Sequence, residues 1–169
     1  MNPIHSMPAN EIIPGIWLGN REASQDETFI RSKNINVVFN CTKDLPFSPY
    51  IETKYRVPVD DNLRDEEIRN MATWSSEITF HIMKHHMRGD RILIHCMAGM
   101  QRSAAATAMF LILKNEWKTP ETIHFIRSKR PIAFNPSANF LPAIEYFEKY
   151  AHKTLIPMIH KKEIRMDNL

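Results

Sequence analysis

Residues 95–103 read His-Cys-Met-Ala-Gly-Met-Gln-Arg-Ser, so a cysteine is followed three residues later by glycine and six residues later by arginine. The apolar run Arg91–His95 before it predicts a short buried strand, and Ala104 to Lys114 predicts a buried helix almost without polar residues. The loop between them therefore lies at a helix start, where free N–H groups and the positive end of the helix dipole suit an anion. A nucleotide-binding G-x-x-x-x-G-K-[ST] loop is excluded, because no lysine stands between His95 and Ser103. Backbone N–H groups around Cys96 are expected to lower its thiol pKa into the range of about 3.5–7.5, which makes it a thiolate nucleophile at neutral pH. Arg102 supplies a planar fork that matches two oxygens of a phosphoryl group. Gly99 lets the backbone turn inward and approach a ligand. A thiolate within a phosphate cradle implies attack on phosphorus through a covalent phosphocysteine. Met97, Ala98, Gly99, Met100, Gln101 and Arg102 are the expected phosphate-binding positions.

A thiolate expels an alkoxide or phenolate only when an acid protonates the leaving oxygen. The stretch Val57–Glu67 offers Asp60, Asp61 and Asp65 after a strand end. Asp65, Glu66 and Glu67 are expected to serve the dipole of the following helix in its first turn. Ser103 reads as a cap of the next helix, and His95 as a residue that orients the loop rather than one that transfers a proton. Cys41 ends a neighbouring strand and reads as a core thiol. His81, His85 and His86 share one helix without a carboxylate or a fourth ligand at metal-binding spacing, so they are read as a solvated face and no metal is expected.

Several elements must position these residues. Glu11–Asn20 predicts a strand pair broken by Pro14 and Gly15, and Ile35–Thr42 a buried strand. Thr53–Asp60 alternates as a strand that Pro58 pushes to an edge or an end. A helix is predicted from Asp65 to about His86, stopped by Gly89. Another is capped by Thr119 with Pro120 at its first position, and a last one presents Phe140, Ile144 and Phe147 on one face. Alternating strands and helices imply a parallel-containing sheet covered on both faces, with ligands bound beyond the carboxyl ends of the strands.

The stretch His95–Ser103 resembles the H-C-x-x-G-x-x-R-S signature of protein tyrosine phosphatases. From about Ile12 to Tyr150 the chain resembles the small dual-specificity branch of that superfamily, on "IPGIWLGN", "INVVFNCT", "YRVPVDDN" and "RPIAFNPSANF". The resemblance implies an α/β fold: a central, mostly parallel twisted sheet of about five strands flanked by helices on both faces. It also implies a protein phosphatase acting on phosphotyrosine and phosphoserine/threonine, with Asp61 as general acid and Asp60 as the alternative. Ser103 would then donate to the cysteine sulfur, and Cys41 would be a resolving thiol for oxidised Cys96, as in some relatives. No metal or other cofactor is expected, since the arginine and the N–H cradle neutralise the phosphoryl charge. The uncharged loop argues against phosphoinositides, and the lack of flanking stacking aromatics argues against RNA 5′ ends. A phosphoprotein-binding module without turnover is the reading from another class.

The 169 residues, 43% hydrophobic and 24% charged, are one domain's worth of chain, with a core at about 12–150 and flanking arms at 1–10 and 153–169. Two cysteines form no disulfide framework, so an intracellular, reducing compartment is expected. A net charge of +3 with no long basic block falls short of a nucleic-acid-binding signature. No apolar run of membrane-spanning length appears, so neither a nucleic acid nor a membrane is an expected partner; the expected partner is a phosphorylated protein.

Overall fold

Short β-branched and apolar runs make five strands: β1 (Ala9–Ile13), β2 (Ile16–Gly19), β3 (Val37–Asn40), β4 (Thr53–Arg56) and β5 (Ile92–His95). They form one sheet in the order β1-β2-β5-β3-β4. The structure, a computed structural model, describes residues 7–165; of the two expected arms, 1–6 and 166–169 lie outside the described residues. β1 and β2 pair antiparallel across a turn at Gly15, whose φ of 85° favours glycine. The other pairings are parallel, with β5 central between β2 and β3. All four residues of β5 are buried because helices cover both of its faces. β4 is the half-exposed edge strand, and Pro58 falls beyond its end because proline has no donor for a ladder.

Alternation along the strands divides the core in two. One face carries Trp17, Val38 and Leu93 against Ala23 and Ile30 of two short helices, α1 (Arg21–Gln25) and α2 (Glu27–Ser32). The hydrophobic periodicity did not indicate these two helices. Side-chain caps start them, since Asn20 Oδ1 accepts the Ala23 N–H at 3.0 Å and Asp26 Oδ1 accepts that of Phe29 at 3.1 Å. The other face carries Leu18, Phe39 and Ile94 against a larger cluster built from α3 (Asp65–Met87), α4 (Arg102–Asn115), α5 (Thr119–Lys129) and α6 (Leu141–Tyr150). Beyond Tyr150 the chain continues through a π-helical turn, Ala151–Leu155, into α7 (Ile156–His160), and Ala151, Leu155 and Ile156 are buried in that same cluster.

Three local expectations are corrected. Thr119 is the first residue of α5 rather than its cap, and Pro120 is the second; a carboxylate of α5's own first turn and one from α6 do the capping. Glu121 accepts the Lys118 N–H at 2.8 Å and Glu148 accepts that of Thr119 at 2.6 Å. The three histidines of α3 do not form a solvated face. His85 is buried, with Nε2 2.7 Å from Tyr55 Oη and Nδ1 2.7 Å from Asp90, so it ties the edge strand to the start of β5. Ser103 lies inside the first turn of α4, behind Gln101 at the cap position.

Candidate active site

The parallel strands β2, β5 and β3 end level with one another at Gly19, His95 and Asn40, and residues 96–101 leave β5 at that edge. Each carbonyl from Met97 to Gly99 is taken by a group outside the loop. The Met97 oxygen accepts the Arg21 N–H at 3.2 Å; those of Ala98 and Gly99 accept Arg130 Nη2 at 3.2 Å and Nε at 2.8 Å. The Met100 oxygen accepts the Phe134 N–H at 2.7 Å. In a trans peptide the C=O of one residue and the N–H of the next point opposite ways. The amides of Ala98, Gly99, Met100 and Gln101 therefore turn to the inner side of the loop, where they suit phosphoryl oxygens. Gly99 sits at φ +67°, and a Cβ there would lie 2.5 Å from the Gly19 oxygen, so this turn requires glycine.

Cys96 is buried, and its Sγ lies 3.0 Å from Ser103 Oγ. Burial alone raises the thiol pKa most strongly. The Ser103 hydroxyl and N–H, the Arg102 guanidinium and the Gly99 N–H together outweigh it and hold the thiol below its ordinary value. Cys41 has no such cradle: burial, then the nearby Cys96, pushes its thiol far up, so it stays protonated. Its N–H donates to the His95 oxygen at 2.8 Å, which locks the two strand ends together. His95 is fully buried with Nδ1 3.4 Å from the Cys96 carbonyl oxygen. Burial pulls its pKa down to about 4, outweighing the opposing hydrogen bond to Cys96, with a lesser lowering contribution from Arg56. It is a neutral ring behind the loop.

Arg102 opens α4 and its Nη1 donates to the Val59 oxygen at 3.1 Å, while its buried Nε has no acceptor among the described residues. The guanidinium thus lies between the signature loop and the segment 59–63. Asp61, Cys96 and Arg102 share a hollow of about 290 Å³ that Gln101, Asn135 and Asn139 complete. Asp61 Oδ1 accepts the Asn139 amide at 2.9 Å. Asp60 instead faces Lys43 at 3.3 Å, away from the sulfur. Of the residues named from the sequence, Cys96, Met97, Ala98, Met100, Gln101, Arg102 and Asp61 line this hollow, whereas His95, Gly99 and Ser103 support it from the loop and helix behind, and Asp60 and Asp65 do not line it.

Three supports escaped the sequence reading. Arg130, fully buried, donates to Ala98, Gly99, Met7 and Asn10, all more than thirty residues away; it opens the stretch "RPIAFNPSANF", where neither periodicity nor spacing assigns it a role. Gln101 reaches across to the oxygens of Asn135 and Ser137 and accepts the Asn139 N–H, so the signature loop fixes the segment that holds Asp61. Glu67 is no solvated first-turn acid: it is buried, accepts the Asp60 N–H at 2.7 Å and pairs with Lys43 at 2.7 Å. Burial opposes its ionisation, but the Lys43 ammonium and the Asp60 N–H hold the carboxyl below its usual range.

Residues 16–150 match the family model described as the dual specificity phosphatase catalytic domain. The human dual specificity protein phosphatase 16 is 25% identical over 149 residues, which cover 87% of this chain and 22% of that protein. The chain thus spans less than a quarter of the length of the first curated relatives it matches. The rat dual specificity protein phosphatase 18 is 28% identical over 168 residues, with 93% of this chain and 80% of that one covered. The crystal structure of human DUSP28 superposes with a TM-score of 0.73 at 23% identity, covering 86% of this chain and 96% of that chain, and is a likeness of fold.

Proposed function

This chain belongs to the dual specificity phosphatase family, and from that membership and its site geometry we infer that it is a metal-independent protein phosphatase acting on phosphotyrosine and phosphoserine/threonine. The Cys96 thiolate attacks phosphorus in line with the leaving oxygen. The P–O bond breaks as Asp61 gives that oxygen its proton, and the S–P bond of a phosphocysteine forms. Water then attacks phosphorus while the Asp61 carboxylate takes its proton. The S–P bond breaks, inorganic phosphate leaves, and the Ser103 hydroxyl stabilises the departing thiolate. Arg102 and the inward amides meet the phosphoryl oxygens throughout.

The observation that carries this reading is a buried thiol held below its ordinary pKa, with Asp61 across the same small hollow. Neither a lysine nor an aromatic side chain lines that hollow, which favours a phosphoprotein over an inositol lipid or a stacked RNA end. A nucleophilic thiolate must stay reduced, so the fitting location is an intracellular, reducing compartment. The test is release of phosphate from an aryl phosphate and from a phosphopeptide panel, with a chelator present. Turnover abolished in Cys96→Ser while phosphopeptide binding survives supports the enzyme. Phosphopeptide binding by wild type without phosphate release refutes it in favour of a binding module.

A further inference from the structure

α4 runs from the signature loop at Arg102 to Asn115, a helix of about 21 Å. At its far end, the last turns of α3 and α4 face α7 and the chain that follows it across a cavity of about 700 Å³. Small-ligand sites fall at about 300–1,000 Å³. The chain after α7 reverses on itself: the Lys162 N–H donates to the Ile159 oxygen and the Glu163 N–H to that of Met158. This turn packs Ile164 onto the core and brings Lys162 and Arg165 to the cavity mouth.

The walls and the mouth differ in chemistry. Met83, Met87, Leu113, Ile156, Ile159 and Ile164 form the apolar walls. His86 also lines the cavity, edge-on to Phe110, so the walls are mostly rather than wholly apolar and the body of a ligand meets chiefly hydrocarbon. The unbranched thioethers of Met83 and Met87 adapt to a flexible occupant. At the mouth, Lys114, Lys162 and Arg165 form no ion pair among the described residues, whereas the carboxylate Glu116 is already bound to His160 at 2.9 Å. Lys114 complements the C-terminal dipole of α4, but Arg165 lies past the last helix and meets no such need. A mostly apolar space, with cations on one side that form no ion pair among the described residues, fits an unbranched hydrocarbon ending in one anion.

We propose that this cavity binds a free fatty acid, its chain between Met83, Leu113 and Ile159 and its carboxylate at Lys162 and Arg165. The test is calorimetric titration of the full chain with dodecanoate below its micellar concentration, and with dodecyltrimethylammonium, which has the same tail and the opposite charge. Saturable one-to-one binding of dodecanoate is expected, at least tenfold tighter than that of the ammonium. The exposed double variant K162E/R165E should weaken it at least tenfold while hydrolysis of an aryl phosphate stays unchanged. No saturation, equal affinity for the two amphiphiles, or an unaltered double variant overturns the proposal. Capture on phosphatidylserine vesicles that dodecanoate does not displace overturns it too, and assigns the basic mouth to a membrane. Every readout but one is binding, so this site can fail while the phosphatase reading stands.

Discussion

In the proposed mechanism Cys96 and Asp61 do opposite jobs with protons, and each can be tested alone. The sulfur must shed its proton although it is buried, and the Ser103 hydroxyl at 3.0 Å is the first of the groups that allow this. Alkylation of wild type by iodoacetate should therefore inflect below the ordinary thiol value, and Ser103→Ala should move the inflection upward. The same change should slow turnover by roughly ten- to a hundredfold, the worth of a hydrogen bond to a charged group. An unmoved inflection would remove Ser103 from the site. General-acid help is worth about 10²–10⁴ in rate. Asp61→Ala should lose a factor of that size on an alkyl phosphate and far less on nitrophenyl phosphate, whose leaving group needs no proton. Asp60→Ala should cost less than tenfold on either, because its side chain faces Lys43. The reverse pattern would exchange the two aspartates.

At the scale of elements, the strand-loop-helix unit β5–α4 works because other segments hold its loop from behind. Gly99→Ala places a methyl group 2.5 Å from the Gly19 oxygen at a φ of +67°. We expect a stability loss of roughly 1–3 kcal/mol, read as a lower unfolding midpoint, together with a raised KM, because the cradle amides shift. A variant with native KM would show that the loop has slack. Glu67 does for the acid segment what Arg130 does for the cradle. Glu67→Ala frees the Asp60 N–H and Lys43, so kcat for alkyl phosphates should fall while Cys96 alkylation keeps its pH profile. A shifted alkylation profile would mean that Glu67 acts on the sulfur instead. Both supports join positions distant along the chain, which explains why periodicity and local motifs did not reveal them.

For the whole molecule, the neutral ring of His95 links the site to global stability. Its pKa is about 4 in the fold, chiefly through burial, against 6.5 when free. The unfolded chain therefore takes up this proton first. Stability is complete above about pH 6.5 and is lost as the pH falls toward 4, by about 3 kcal/mol for this group. Denaturant midpoints across that range should show the loss, and His95→Asn, which retains an N–H donor, should flatten it. An unchanged slope would place the titration elsewhere; Glu67 and Asp90, whose carboxyls are held low, lose their own contribution only below the ordinary carboxylate value.

The amino-acid sequence by itself determined the chemistry and its frame. The spacing of Cys96, Gly99 and Arg102 between an apolar run and a buried helix specifies an anion cradle around a thiol, because backbone geometry at a strand-helix junction is local. Strand and helix periods likewise reported which faces are buried. Only the tertiary structure decided what depends on distance through space. It placed Asp61 rather than Asp60 on the wall of the hollow that Cys96 lines, buried Glu67 and His85 where their spacing suggested solvent, and threaded Arg130 behind the loop. A side chain's neighbours across a fold are set by packing between segments, and no local pattern of residues records them.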